Sequence, residues 1–258
     1  MYMARRLLVA ACLLLHLQPG NALANPDLDK LLEKADRFMV EMDEEQALQT
    51  YLAVLEADAS NYEALWNASL LYATIGFRFE DKPSQTEYFE QAKALAGKSL
   101  ARYPDKGHPY FVMAIAKGRM ADLVGVQRRI QLGHEIEEHI KQAIDRMPDH
   151  APSWHLYGIW QSEVANVSRL ERVAARLVSR GLPGGSNEKA EEFLKKAIEL
   201  DPESIMIRLD LAHHYVRSGQ QERAIAVLEK LLELDLPITW KDDPEHLKTA
   251  RTLREDLR

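Results

Sequence analysis

The sequence predicts an all-α fold: an α-solenoid of about five stacked helix pairs, closed at its C-terminal end by a capping helix. Three observations carry this. A phrase that ends on proline occurs three times, running from Ala92 to Pro104, Ile136 to Pro148 and Ala190 to Pro202, its ends twelve positions apart each time. A helix that stops on proline at a fixed offset, again and again, marks a repeat array of paired helices. Small residues recur at the matching place in the helix before it: Ala35, Ser69, Ala114, Gly158 and Ala212. Finally, Ala, Leu, Glu, Lys and Arg dominate, aromatics reach only 7%, and long β-branched runs are absent, so helix is the favoured state.

Arg5-Arg6 stands before an apolar stretch, Leu7 to Leu17, followed by Pro19-Gly20 and then Ala22-Leu23-Ala24. A charged start, a short apolar run and a small-x-small site make up the grammar of a secretory signal, with cleavage expected after Ala24. The expected product is periplasmic or secreted. Cys12 is the one cysteine. It lies inside the apolar stretch, with Leu13-Leu14-Leu15 beyond it, which argues against a lipoprotein. Removing residues 1–24 leaves no thiol, and so no disulfide, thiolate metal site or cysteine nucleophile.

The repeat domain is assigned to residues 25–242. About 34 residues and two antiparallel helices make a tetratricopeptide (TPR) unit, with small residues where helices cross closely. The second helices give the sets Ala47-Tyr51-Val54-Ala59, Ala92-Ala96-Ser99-Pro104, Ile136-Ile140-Ala143-Pro148, Ala190-Leu194-Ala197-Pro202 and Ala224-Leu228-Leu231-Leu236. Steps of four and three keep each set on one helix face, and proline ends the helix because it cannot continue the hydrogen-bond ladder. From first small residue to second, the outer units take 12 steps and the middle three take 23, 22 and 32. The excess therefore falls at the hairpin tips of the middle units. The first excess, with Phe77, Phe79 and Lys82-Pro83-Ser84, reads as loop. The third is amphipathic, with Val164, Val167, Leu170, Val173 and Leu177 at helical spacing before Gly181-Leu182-Pro183-Gly184-Gly185 breaks it. In the fifth unit Gly219 suits the left-handed turn between helices. Residues 243–258 form the capping helix, opened by Asp243-Pro244 and striped by Leu247, Ala250, Leu253 and Leu257.

Charge and motifs exclude much. The net charge of −7 becomes −9 once Arg5 and Arg6 are removed, a poor match for nucleic-acid phosphates. His134 and His139 are five apart, not the four that place two zinc-binding histidines on one helix face. His213 and His214 are adjacent and diverge. No serine sits in a Gly-x-Ser-x-Gly setting, and Gly181–Gly185 lacks the Lys-Ser/Thr of a phosphate loop. The expectation is a non-enzyme without metal or cofactor.

Functional residues are sought instead on the inner groove of the array. Leu32, Trp66, Phe111, His155, Glu163 and Leu209 should face it, with Asn67, Lys117, Asn166 and Arg169 near its edge and His213 turned inward. An apolar-aromatic groove of this kind suits an extended or helical segment of a protein partner. Trp66, Phe111 and Trp154 have core packing as their alternative role.

Three stretches resemble the regulator of microtubule dynamics family. They are Gln127–Pro148 continued by Trp154–Trp160, then Glu163–Arg172 with Gly181–Ser186, and the ending Asp242–Arg251. The resemblance implies an all-helical TPR-like fold and a role in protein association, with no catalytic residues to carry over. Microtubule association of eukaryotic members does not extend to an exported chain of bacterial character. The expected function is a non-catalytic exported scaffold or adaptor that binds a protein or peptide, without stable membrane insertion. The alternative is a periplasmic small-ligand-binding accessory of a transporter.

Overall fold

The computed structural model describes residues 26–178 and 181–258; the expected signal segment and Cys12 lie outside them. Helices form five antiparallel pairs. These are α1 (Pro26–Val40) with α2 (Glu44–Ala57), α3 (Tyr62–Phe77) with α4 (Lys82–Arg102), and α5 (His108–Ala121) with α6 (Val126–Arg146). Then come α7 (Ala151–Ala165) with α9 (Asn187–Leu200), and α10 (Ile205–Arg217) with α11 (Gln221–Glu233). A short helix, α8 (Arg169–Val178), lies between α7 and α9, and α12 (Asp243–Asp256) closes the array. No strand occurs among the described residues.

Both registers read from the sequence run through the interior. Ala35, Ser69, Ala114, Gly158 and Ala212 of the first helices are buried, and so is every helix-face member of the five second-helix sets. Gly158 shows why the register must be small: a Cβ there would meet Leu194 Cγ at 2.6 Å. Ser69 keeps its hydroxyl satisfied in this dry seam by donating to the Ala92 carbonyl at 2.8 Å. Burial is spread over six adjoining apolar clusters along the stack, as expected when each pair packs only on its neighbours.

Caps set the helix ends. Asp43, Asn61, Asp81, Ser186 and Ser204 each accept from a backbone N–H of the first turn. Pro104, Pro148 and Pro202 each follow directly on a helix C-cap. Gly219 takes φ +74° in the turn into α11.

One expectation is corrected. The loop is shorter than expected: only residues 78–81, with Phe79, join the helices, whereas Phe77 ends α3 and Lys82-Pro83-Ser84 is the first turn of α4, capped by Asp81. The proline sits where its missing N–H costs nothing. Extra residues in the second and third pairs lengthen α4 and α6 to 21 residues each rather than adding loop.

The array curves until its ends meet. Arg78, at the tip of the α3–α4 hairpin, ion-pairs with buried Glu44 and bonds Asp242 at 2.7 Å, just before α12. Lys241 reaches Glu45 at 2.9 Å. These bonds tie the first two hairpin tips to the segment that leads into α12.

Candidate functional site

In the N-terminal half, α1, α3 and α5 line an open hollow of about 360 Å³, with Asp36, Met39, Glu63, Trp66, Asn67 and His108 in its wall. Trp66 stacks on the His108 ring at 4.2 Å between centroids. Tyr62 bonds His108 Nδ1 at 2.8 Å, and Tyr51 donates to Asp36 at 2.7 Å. Burial lowers the His108 pKa, so its ring is neutral near pH 7 and presents an apolar face beside the indole. His150 continues the ladder at 5.4 Å from His108, with burial lowering its pKa to about 4.

Further along, the inner row turns ionic. The Arg119 guanidinium lies 3.8 Å from the centre of the Phe77 ring. Its Nε is buried without a hydrogen-bond partner among the described residues, and burial lowers its pKa against the pull of Asp122, Glu163 and Asp210. Glu163 is exposed; the protein around it raises its pKa by desolvation, with Arg217 the main opposing charge. Asp210 accepts from His155 at 2.8 Å and lies 3.4 Å from His213. Burial pushes the Asp210 carboxyl up, but the two histidines outweigh it and hold it below the usual carboxylate range.

The residues expected in the groove divide. Trp66 and Asn67 line the hollow, the Asn67 amide donating to the Glu63 carbonyl. Glu163 and His213 lie in the ionic stretch, and His155 is buried beneath it against Asp210. Phe111 and Leu209 are corrected: both are buried core, Phe111 edge-on to His150 and packed with Val112 and Met113. Leu32 packs partly buried against the first cluster. Lys117 is corrected as well. It turns to α6, pairing with Glu135 at 2.7 Å and bonding His139, because a lone ammonium in that seam needs a carboxylate. Asn166 caps the end of α7, bonding the Ser162 carbonyl and Asn187. Arg169 stands exposed on α8, away from the groove. Trp154 donates to the Pro148 carbonyl and packs on Phe193.

Sequence reasoning missed Asp36, Glu63, His108, Arg119, Asp210 and Arg217. It also expected an apolar-aromatic groove, whereas charge dominates its second half. Ser162 and His214 form a buried pair at 2.9 Å, yet His214 Nε2 has no partner among the described residues. With no orienting acid and no solvent access, the pair is a cross-link between α7 and α10. Among the described residues no three His, Cys, Asp or Glu side chains are placed to hold a metal ion.

An all-helical stack of paired helices with a side-chain-lined inner row defines a TPR-like solenoid. The family model for regulator of microtubule dynamics protein 1-3 matches residues 31–258, and the chain belongs to that family. It is 28% identical over 230 residues to regulator of microtubule dynamics protein 3 of Xenopus laevis, covering 88% of this chain and 49% of that one. To regulator of microtubule dynamics protein 2 of Homo sapiens it is 25% identical over 234 residues, covering 90% of this chain and 57% of that one. The chain thus spans about half the length of the curated relatives it matches. Among solved structures, TTC0263, a thermophilic TPR protein in Thermus thermophilus, aligns with a TM-score of 0.66 at 18% identity. The alignment covers 88% of this chain and 98% of that one, and shows the shared fold.

Proposed function

We propose that the chain is a non-catalytic exported scaffold that holds a segment of a protein partner along its inner groove. The observation that carries this is the Trp66–His108 stack in the wall of an open hollow, continued along the same row by Arg119, Glu163 and Asp210. A neutral aromatic platform beside spaced charges suits an extended peptide, whose apolar side chain docks at one end while its polar groups pair along the rest. The hollow is open along the groove rather than closed over, a shape better suited to a chain segment than to an enclosed small molecule. Export rests on the Arg5-Arg6, Leu7–Leu17 and Ala22-Leu23-Ala24 pattern.

Panning a phage-displayed library of random linear peptides against the chain tests the groove. Enriched peptides should lose about tenfold or more in affinity to Trp66→Ala, as expected for an aromatic anchor. Peptides that bind Trp66→Ala and His108→Ala as well as wild type place the site elsewhere. Mass spectrometry of the N-terminus after expression in a bacterium tests export: a chain beginning at Asn25 supports it, and an intact Met1 opposes it.

A further inference from the structure

Helix α8 carries an apolar stripe that no other described residue covers. Leu170 is 80% exposed, Val173 55% and Leu177 82%, while Ala175 is 2% exposed. At about 100° per residue the three exposed side chains fall within about 60° of one another, and Ala175 points the opposite way. The stripe therefore faces straight out from the body. The helix is well formed in that pose. Ser168 and Glu171 make a capping box, Ser168 Oγ accepting from the Glu171 amide at 3.2 Å while the Ser168 amide donates to the Glu171 carboxylate at 3.1 Å. Arg172 ties the helix down by donating to the carbonyls of Val164 and Ala165.

The surroundings of the stripe are cationic in a chain of net charge −7. Arg169 and Arg176 lie along one edge of it and have no charged partner among the described residues. Arg129, and Arg128 with its charge shared with Glu135 at 2.9 Å, stand on the first turn of neighbouring α6, beside Val126, which is 58% exposed. Arg129 is close enough to Glu171 to help lower its pKa, after the Ser168 bonds. Among the described residues no helix is long and apolar enough to cross a membrane.

We infer that α8, with the start of α6, is a peripheral docking surface for an anionic lipid bilayer. Leucine and valine would enter the headgroup boundary and the arginines would pair with lipid phosphates, as in an interfacial amphipathic helix. Two other occupants fit less well. A second copy docking stripe to stripe brings Arg169 and Arg176 of both helices together. A single protruding convex helix also offers far less than the roughly 800 Å² per partner of a stable protein interface. The inference is independent of the groove.

Flotation of the full chain with phosphatidylglycerol–phosphatidylcholine vesicles, against phosphatidylcholine alone, tests it. Wild type should float with the anionic vesicles, much less with the neutral ones, and be released by salt. Leu170→Ser/Leu177→Ser and Arg169→Glu/Arg176→Glu should each lower partitioning about tenfold or more, with helicity by circular dichroism unchanged and Trp66→Ala still floating like wild type. Absence of wild-type flotation overturns the assignment, as does equal flotation by the α8 variants. A dimer in sedimentation that the Leu→Ser pair dissolves assigns the stripe to a second copy, and an acidic protein that captures wild type in place of vesicles assigns it to that protein; either result overturns the lipid assignment.

Discussion

Two amphipathic helices lie outside the five pairs, and they treat their stripes in opposite ways. In α12, Ala250 is buried and Leu247, Leu253 and Leu257 pack on the last pair with Leu228 and Leu231. In α8, Ala175 turns inward, and the leucines face out. The same pattern thus gives a lid for the stack in one place and a displayed surface in the other. What decides is the neighbour. The last pair has an open face to cover, whereas α8 meets polar backbone at Val164 and Ala165, which arginine can bond and leucine cannot.

The largest effect should come from charging the buried side of the lid. Ala250→Asp buries a carboxylate without a partner and should cost more than about 3 kcal/mol by urea unfolding. The same change at Ala175 should loosen α8 locally and leave global unfolding within about 1 kcal/mol, because little else depends on that helix. Equal losses at both sites would break the contrast.

Acid should weaken the stack while leaving the stripe of α8 untouched. Burial, with Lys117 adding, lowers His139 to about 4, and burial lowers His150 to about 4. Both values lie below the ordinary 6.5, so the folded state binds fewer protons than the unfolded one. Stability should be full above about pH 6.5 and fall toward pH 4, by roughly 2–3 kcal/mol for each histidine. Thermal melts of wild type and His139→Gln check this; the variant should show a shallower loss.

The clasp that leads into α12 should matter less. Arg78→Met leaves buried Glu44 unpaired and frees Asp242, and should cost about 1–2 kcal/mol, since the guanidinium is partly solvated. Denaturant melts measure it, and hydrogen exchange should rise around residues 239–243. The smallest effect belongs to Leu170→Ser/Leu177→Ser, within about 0.5 kcal/mol by the same melts, because neither side chain leaves a core.

Much of this fold was legible in the sequence, because the small-residue registers are dictated by helix crossing distance and proline by backbone chemistry. Gly158 against Leu194 is that rule at a single contact. The groove was legible only in part, and the reason is geometric. Counting three back from the first-helix small residue gives Trp66, Phe111, His155 and Leu209, positions that slide toward the neighbouring pair and bury at three of the four sites. Counting instead six and two back, then one and five forward, follows the open face. That count reaches Asp36, Glu63 and Asn67, His108 and Arg119, Glu163, and Asp210, His213 and Arg217, although it also falls on buried Val112 and on Leu70, which packs on the core. The stripe of α8 was visible as a period, but no period says whether a stripe will be covered.

Amide hydrogen exchange on the full chain, with and without a peptide selected from the random library, tests the groove most directly. Slowed exchange concentrated in α1, α3 and α5, and abolished in Trp66→Ala, is the expected result. Protection confined to the second helices or to α8, with the first-helix row unchanged, would contradict it.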